Sequence, residues 1–577
     1  MVLGKHFIGD IKSPVERALK CLLEVNPTLG LIESHKVIYN RSGKTDKVLL
    51  ISGGGSGHEP AHAGFVGNGM LDIAVAGDIF ASPSAAQILV GLKAIKGTKG
   101  TLMIVKNYTG DKLNFGLAAQ KARSEGQEVS VVFVNEDASL DAESLVGRRG
   151  LAGTVFVHKI AGAAASRGLG LSEVTRIAQK VADSVTTVGA SLDRCSVPGR
   201  GGQEGLGGAE LEYGMGIHNE PGVLRTNLTD LSSTVSKVLS YLLSPSSPVS
   251  FHKQDTIAVL INNLGGLSIL ELNVIAQEVL TQLSNSPQQF TISRKYIGSF
   301  MTSLDGPGFS ITILKHDDEI LGLLDEQTEV QAWPKQFTDK EYTPVKSRIT
   351  QYSPPNKPTY SPNPHLIVPA NLLTTISSSL LTKIQSEEPT ITKYDTLVGD
   401  GDCGTTLLKG VTSINDAFKD GKVDTTDLST TFESIAEMVE SSMGGTSGAI
   451  YGIFLNAFVN NLRNSSDGEE EGSLQTILQK SLSNALRELC TFTLARKGHR
   501  TLMDTLIPFV ETFQQTGDLN KAVEEAGKGC EETKKMEAKL GRASYVSHEQ
   551  VEKDGGVMDP GALGLKCILE VLGQELA

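Results

Sequence analysis

Between Trp333 and Leu366 the chain carries a Tyr-Thr-Pro-Val string and then Tyr352-Ser-Pro-Pro-Asn-Lys-Pro-Thr-Tyr-Ser-Pro-Asn-Pro364. Proline has no backbone donor and a fixed φ, so neither a helix interior nor a central strand can run through such a tract. It reads as an extended linker. The chain has 577 residues, and a single core stops growing at ~250 to 300. The tract is therefore where the chain is expected to divide: residues 1–335, a linker over 336–365, and residues 366–577.

The two sides differ in pattern. Before the tract come short β-branched runs: KVLLIS at 47–52, TLMIV at 101–105, VSVVFV at 129–134 and TVFVH at 154–158. Runs of this length bounded by glycine fit buried parallel strands with helical crossovers. A further set, TIAVLI at 256–261, FTISRKYI at 290–297 and SITIL at 310–314, predicts a second α/β lobe. After the tract, segments 372–386, 428–443, 473–490 and 502–515 space their apolar residues at i, i+3, i+4, which predicts helices. The expected fold is thus an α/β domain of two lobes followed by an all-α domain.

Lys+Arg 53 against Asp+Glu 66 gives a net charge of −13, which opposes attachment to nucleic acid or anionic lipid. The 6 cysteines form no CxxC pair, which argues for a reducing compartment and against a zinc site. The first residues break their apolar run with charges, and no uninterrupted run reaches the ~20 residues of a membrane span. A cytosolic protein without leader or anchor is expected.

Asp395-Thr-Leu-Val-Gly-Asp400-Gly-Asp402-Cys-Gly-Thr-Thr406 sets three carboxylates among glycines at the junction of two helical patterns. Mg²⁺ prefers a few hard oxygen ligands and leaves positions for water and phosphate, so these aspartates suit a nucleotide-bound cation. Thr405 and Thr406 then open a helix whose free N–H groups favour anions. An Asp/Gly surface turn is the plainer alternative.

In the first half, Gly53-Gly-Gly-Ser-Gly-His-Glu-Pro60 follows a strand and bares backbone N–H groups on the usual ligand side of an α/β sheet. It matches neither a Walker A loop nor GxGxxG. Gly43-Lys-Thr45 has Ile38 where the first Walker glycine belongs and precedes a strand, so it reads as a polar turn. Lys106-Asn-Tyr-Thr-Gly-Asp111 follows another strand and could share the edge with His58, or form a salt-bridged loop. Gly214-Met-Gly-Ile-His218-Asn-Glu-Pro-Gly222 brackets a histidine that is either chemical or structural.

Taken together, SGGGSGHEPAHAGF, KNYTGDKLNFGLA, RRGLAGTVFVHKIAGA and GMGIHNEPG resemble the substrate domain of dihydroxyacetone kinases. VGDGDCGTT, GGTSGAIYG, RTLMDTL, GRASY and GGVMDPGA resemble their nucleotide domain, in the order of the single-chain ATP-dependent form. The resemblance implies an all-α helical-barrel nucleotide domain. It implies that the His218 imidazole adds to the ketone of dihydroxyacetone as a covalent hemiaminal, which excludes glycerol and weakens as His218 protonates. Asp111 would accept the proton of the attacking hydroxyl with His58 as partner. Lys106 and the Gly54 and Gly55 amides would hold substrate oxygens, beside Ser56 and Gly57.

By the same resemblance Asp395, Asp400 and Asp402 would carry two Mg²⁺ ions against ATP. Asp402, Cys403, Gly404, Thr405, Thr406, Thr446, Ser447, Met503, Arg542, Asp559, Pro560 and Gly561 would line the nucleotide. Gly444 to Gly448 would cap a helix facing it, or merely join two helices. Arg542 would neutralise phosphate charge, or form a surface ion pair. Cys403 stands where phosphotransferase-dependent relatives have histidine, which favours free ATP. The resemblance further implies a homodimer in which each substrate domain serves the partner's nucleotide domain, with D-glyceraldehyde as a second substrate. Two other functions stay open: cyclisation of FAD by the nucleotide domain with Mn²⁺, and non-enzymatic carbonyl or lipid binding.

Overall fold

The computed structural model describes residues 6–8, 11–95, 97–140, 147–199, 205–335, 348–349, 360–465, 473–539 and 556–576. Contacts divide the chain into two compact units, Met1–Ile349 and Thr350–Ala577. Of the expected linker, 336–347 and 350–359 lie outside the described residues.

Among its described residues the first unit holds two six-stranded sheets. One has the order β1-β2-β4-β3-β5-β6, with β1 Leu29–Ile32, β2 Val37–Asn40, β3 Leu49–Ser56, β4 Ile73–Ile79, β5 Thr101–Lys106 and β6 Val129–Val134. Strands β4, β3, β5 and β6 run parallel, as the unbroken apolar runs predict. The chain steps from β3 to β4 on one side and then to β5 on the other, which opens a ligand crevice at the carboxyl ends of β3 and β5. The other sheet has the order β11-β10-β12-β7-β8-β9, with β7 Val185–Ser191, β8 Glu210–Tyr213, β9 Leu224–Asn227, β10 Thr256–Asn263, β11 Thr291–Gly298 and β12 Gly308–Lys315. Only β10 and β11 pair parallel here.

Among the described residues these helices accompany the sheets: α1 Pro14–Val25, α2 Ala85–Ala94, α3 Thr109–Ser124, α4 Thr154–Ser166, α5 Leu171–Ala182, α6 Leu231–Leu242, α7 Ile269–Ser284 and α8 Asp318–Leu324. The run TVFVH, expected as a strand, is instead the first turn and a half of α4. Its surroundings explain the misreading. One apolar core joins Leu50 and Ile104 of the first sheet, Val155, Ile160 and Ala164 of α4, and Ala258, Leu260 and Leu314 of the second sheet. A helix packed from all sides shows no amphipathic period and reads like a buried strand. The alanines that follow, in KIAGAAAS, are what favour helix.

The second unit is all-helical among the described residues: α9 Ala370–Val398, α10 Cys403–Lys419, α11 Leu428–Ser442, α12 Gly445–Asn464, α13 Leu474–Phe492, α14 Met503–Thr516, α15 Leu519–Glu532 and α16 Pro560–Glu575. Helices adjacent in this order pack on one another, and α16 packs on α9. Ile384, Ile391, Asp395 and Val398 lie on the buried face of α9, so the packing that hides the two isoleucines also carries the Asp395 carboxylate inward. No helix among the described residues is long and apolar enough to cross a membrane.

Candidate active site

The first unit gathers its polar side chains around Gly54, near the end of β3. A Cβ placed on Gly54 would stand 3.4 Å from Asp111 Oδ2, 3.6 Å from His62 Nε2 and 3.6 Å from Lys106 Cε. Glycine there keeps the space between these groups open. Lys106 is the last residue of β5 and fully buried, and its Nζ has no hydrogen-bond partner. Asp111 sits in the first turn of α3, where Ser82 Oγ donates to its Oδ1 at 2.5 Å. Burial raises the Asp111 carboxyl above its ordinary range, against the Lys106 charge and the Ser82 bond. Burial also lowers the proton affinity of Lys106.

His58 and His218 meet Nε2 to Nε2 at 3.0 Å. His58 Nδ1 donates to the Thr302 carbonyl at 2.8 Å, and His218 Nδ1 donates to Glu220 Oε1 at 2.8 Å. A carbonyl and a carboxylate can only accept, so each ring carries its proton on Nδ1. The Nε2 contact is then closed by one further proton shared between the rings. Burial, with the Lys106 and His218 charges, holds the proton affinity of His58 far below the usual histidine range. Burial opposes the Glu220 charge, but the bonds from His218 hold its carboxyl down at about 2. The neighbouring rings fix the pair: Phe80 stacks on His58 at 5.3 Å, and the Tyr108 ring meets His218 edge-on at 4.7 Å.

The loop bearing His218 is itself anchored. Arg149 Nη2 donates to the Gly214 carbonyl at 2.6 Å while its Nε donates to Asp137 Oδ2 at 2.7 Å. Ser303 Oγ donates to the Ile217 carbonyl at 2.7 Å.

The structure thus joins His218, His58, Asp111, Lys106 and Gly54 in one place. Ser56 and Gly57 are otherwise engaged, Ser56 Oγ donating to the Gly77 carbonyl at 2.8 Å and Gly57 N to Glu59 Oε2 at 3.0 Å. Glu220, Ser82 and Tyr108 were not singled out from the sequence. Glu220 has a sequence signal, a carboxylate two residues after a histidine between glycines.

In the second unit Asp395, Asp400 and Asp402 bring carboxylate oxygens within 4.8 Å of one another. Gly401, at φ +79°, makes the turn between the last two. Asp395 Oδ2 accepts from Cys403 N at 2.9 Å, and the Asp402 side chain makes no capping bond to α10. A cluster of hard oxygens with one member buried fits Mg²⁺.

Helix starts converge beside this cluster. Cys403, at the start of α10, lies beside Ser447 in the first turn of α12 and faces the charge of Asp559, the N-cap of α16. Burial, with the Asp395 and Asp559 charges, pushes its thiol up to about 12. A Cβ on Gly561 would stand 3.4 Å from Leu502 at the start of α14. Thr405, Thr406, Thr446, Ser447, Pro560 and Gly561 all therefore lie in first turns gathered at one end of this unit, where unpaired N–H groups and helix dipoles favour phosphate. Gly404 packs with no room for a side chain against the Glu388 carbonyl and Thr392 of α9, which brings the α10 start close to Asp395.

Asp559 is pushed up to about 6 by burial, against the Ala562 N–H and the charge of Arg500. Arg500 is a buried cation that sequence reading passed over, its guanidinium donating to the Thr533 and Val557 carbonyls. Met503 is fully buried in an apolar cluster with Leu502 and Leu506. Arg542 lies outside the described residues.

Comparison with known proteins agrees with both halves. A Dak1 domain model matches residues 20–332, and a DAK2 domain model matches 397–574. A dihydroxyacetone kinase of Pichia angusta is 43% identical over 96% of this chain and 96% of its own. A triokinase/FMN cyclase of Mus musculus is 36% identical over 99% of each. The crystal structure of the dihydroxyacetone kinase from C. freundii in complex with AMP-PNP and Mg²⁺ is similar with a TM-score of 0.64 and 31% identity, covering 97% of each chain. With both domain models matched and relatives aligned from end to end, the chain belongs to the dihydroxyacetone kinase family.

Proposed function

We propose that this protein transfers the γ-phosphoryl group of Mg-ATP to a terminal hydroxyl of dihydroxyacetone, and of D-glyceraldehyde, with the carbonyl carbon held on His218. The observation that carries this reading is the His58–His218 contact with both Nδ1 protons committed. As His218 Nε2 bonds to the carbonyl carbon, the shared proton passes to His58. The carbonyl π electrons move to oxygen, which takes that proton from His58. The result is a neutral hemiaminal hydroxyl and a positive His218 ring, balanced by Glu220. His58 suits the proton-giving role because burial makes it a weak base. Glycerol has no carbonyl to be held.

Asp111, raised by burial, accepts the proton of the attacking hydroxyl, and Lys106 holds a substrate oxygen. Asp395, Asp400 and Asp402 would hold Mg²⁺, two ions per nucleotide, with phosphates on the clustered helix starts. Bound there, the cation offsets phosphate charge. Transfer requires the two sites to meet, which a homodimer pairing substrate and nucleotide units would accomplish.

One coupled assay with Mg-ATP tests the reading. Dihydroxyacetone and D-glyceraldehyde should turn over and glycerol should not. Reductive capture of labelled ketone should tag wild type and fail on His218→Ala; equal tagging of both removes His218 from its role. The mouse relative's name supports a second reading, cyclisation of FAD, which would need the aspartates and not His218. An FAD arm in the same assay, run on His218→Ala, separates the two.

A further inference from the structure

The reaction above leaves one imidazole of the pocket unused. His62 is 5% exposed, and its Nε2 has no hydrogen-bond partner. Its tautomer follows from its neighbours. Ser52 Oγ donates its single proton to the Ile104 carbonyl at 2.7 Å. Towards His62 Nδ1 and His158 Nε2, each 3.2 Å away, that oxygen can only accept. His62 therefore carries its proton on Nδ1 and turns an Nε2 lone pair to the space beside Gly54, where Asp111 Oδ2 and the Lys106 side chain also converge. Burial, with the Lys106 and His158 charges, keeps the ring neutral, so this lone pair stays an acceptor.

The pocket thus pairs a buried acceptor, His62 Nε2, with a buried donor, Lys106 Nζ, neither of which has a hydrogen-bond partner in the protein. Buried polar atoms left so are costly, and a ligand carrying both a donor and an acceptor satisfies them. Asp111 already takes the hydroxyl that reacts in the proposed transfer. We propose that His62 Nε2 accepts a hydrogen bond from the substrate's other hydroxyl, the one that is not phosphorylated. His62 is then a specificity-determining residue that selects ketones bearing a second hydroxyl. The inference rests on the ketone-kinase reading above.

Hydroxyacetone supplies the test, because it keeps the carbonyl and one hydroxyl and lacks the second. The measurement is kcat/KM for dihydroxyacetone and for hydroxyacetone with Mg-ATP, expressed as a ratio within each protein so that the folded fraction cancels. Wild type is expected to favour dihydroxyacetone by about tenfold or more, and His62→Leu to bring the ratio within about twofold of unity. His62→Phe is measured alongside, since it keeps a ring against His158, 5.2 Å away, and carries no acceptor. A ratio unchanged from wild type in the variant that folds overturns the inference and leaves the kinase reading standing. Turnover of neither ketone by wild type overturns both.

Discussion

Glu220 accepts two hydrogen bonds from one residue, the backbone N–H of His218 at 2.9 Å and its Nδ1–H at 2.8 Å. The carboxylate thereby fixes both the turn and the tautomer, leaving Nε2 as the only nitrogen able to attack a carbonyl.

Glu220→Gln keeps an acceptor at that place and removes its charge. The captured adduct and kcat/KM for the ketone should fall about 10- to 100-fold, as when the partner that orients a reactive histidine is weakened. The carboxyl sits at about 2 against an ordinary 4.5. Its contribution to stability is fully present above pH 4.5 and disappears as pH falls towards 2. Acid unfolding of the variant should lack that part of the pH dependence, and an identical acid transition would contradict this.

Asp111→Asn should lower kcat by roughly 10²- to 10⁴-fold while reductive capture of the ketone persists. Because burial raises this carboxyl, the acid limb of the wild-type kcat profile should lie above the ordinary aspartate value of 3.8. The same shift penalises the folded state at pH above 3.8, so the variant should melt no lower than wild type at neutral pH. Loss of capture in the variant would show that Asp111 acts on the carbonyl step.

Asp400→Asn changes an exposed residue and should leave the fold intact. Turnover with Mg-ATP should drop below about one per cent, and calorimetric titration should show weakened Mg²⁺ binding, with ketone capture unaffected. Chelation of wild type should stop turnover, and added Mg²⁺ should restore it. Full turnover in the variant would remove Asp400 from the metal cluster.

Gly162→Ala probes the packing that misled the strand assignment. Its Cβ would lie 2.5 Å from Met70 Cα and 2.6 Å from the Gly69 carbonyl, backbone atoms that cannot swing aside. A loss of about 1 to 3 kcal/mol is expected, read as a lower urea midpoint at unchanged slope. A midpoint equal to wild type would mean that α4 shifts freely.

Much of this was legible because chemistry crowds the sequence at the ends of strands and helices. Gly53 to His58 and Lys106 to Asp111 each follow an apolar run, so β3 and β5 placed them at neighbouring strand ends. The aspartate triad announced itself by spacing alone. Glu220 and His62 were not singled out, for different reasons. His62 takes its tautomer from Ser52, whose proton goes to Ile104 52 residues away in sequence, a pairing that local patterns do not encode, whereas Glu220 stands only two residues after His218 and its local signal was passed over. Arg500 escaped notice because a buried cation facing Asp559 looks, in sequence, like any arginine.

His58 and Thr302 are stitched in both directions: Nδ1 of the histidine donates to the Thr302 carbonyl, and the Thr302 amide returns a bond to the His58 carbonyl at 3.1 Å. The two residues stand 244 positions apart in sequence, so that seam closes a very long loop. Closing so long a loop is entropically slow, so catalytic competence should be among the last properties regained on refolding, lagging behind the recovery of helix and sheet.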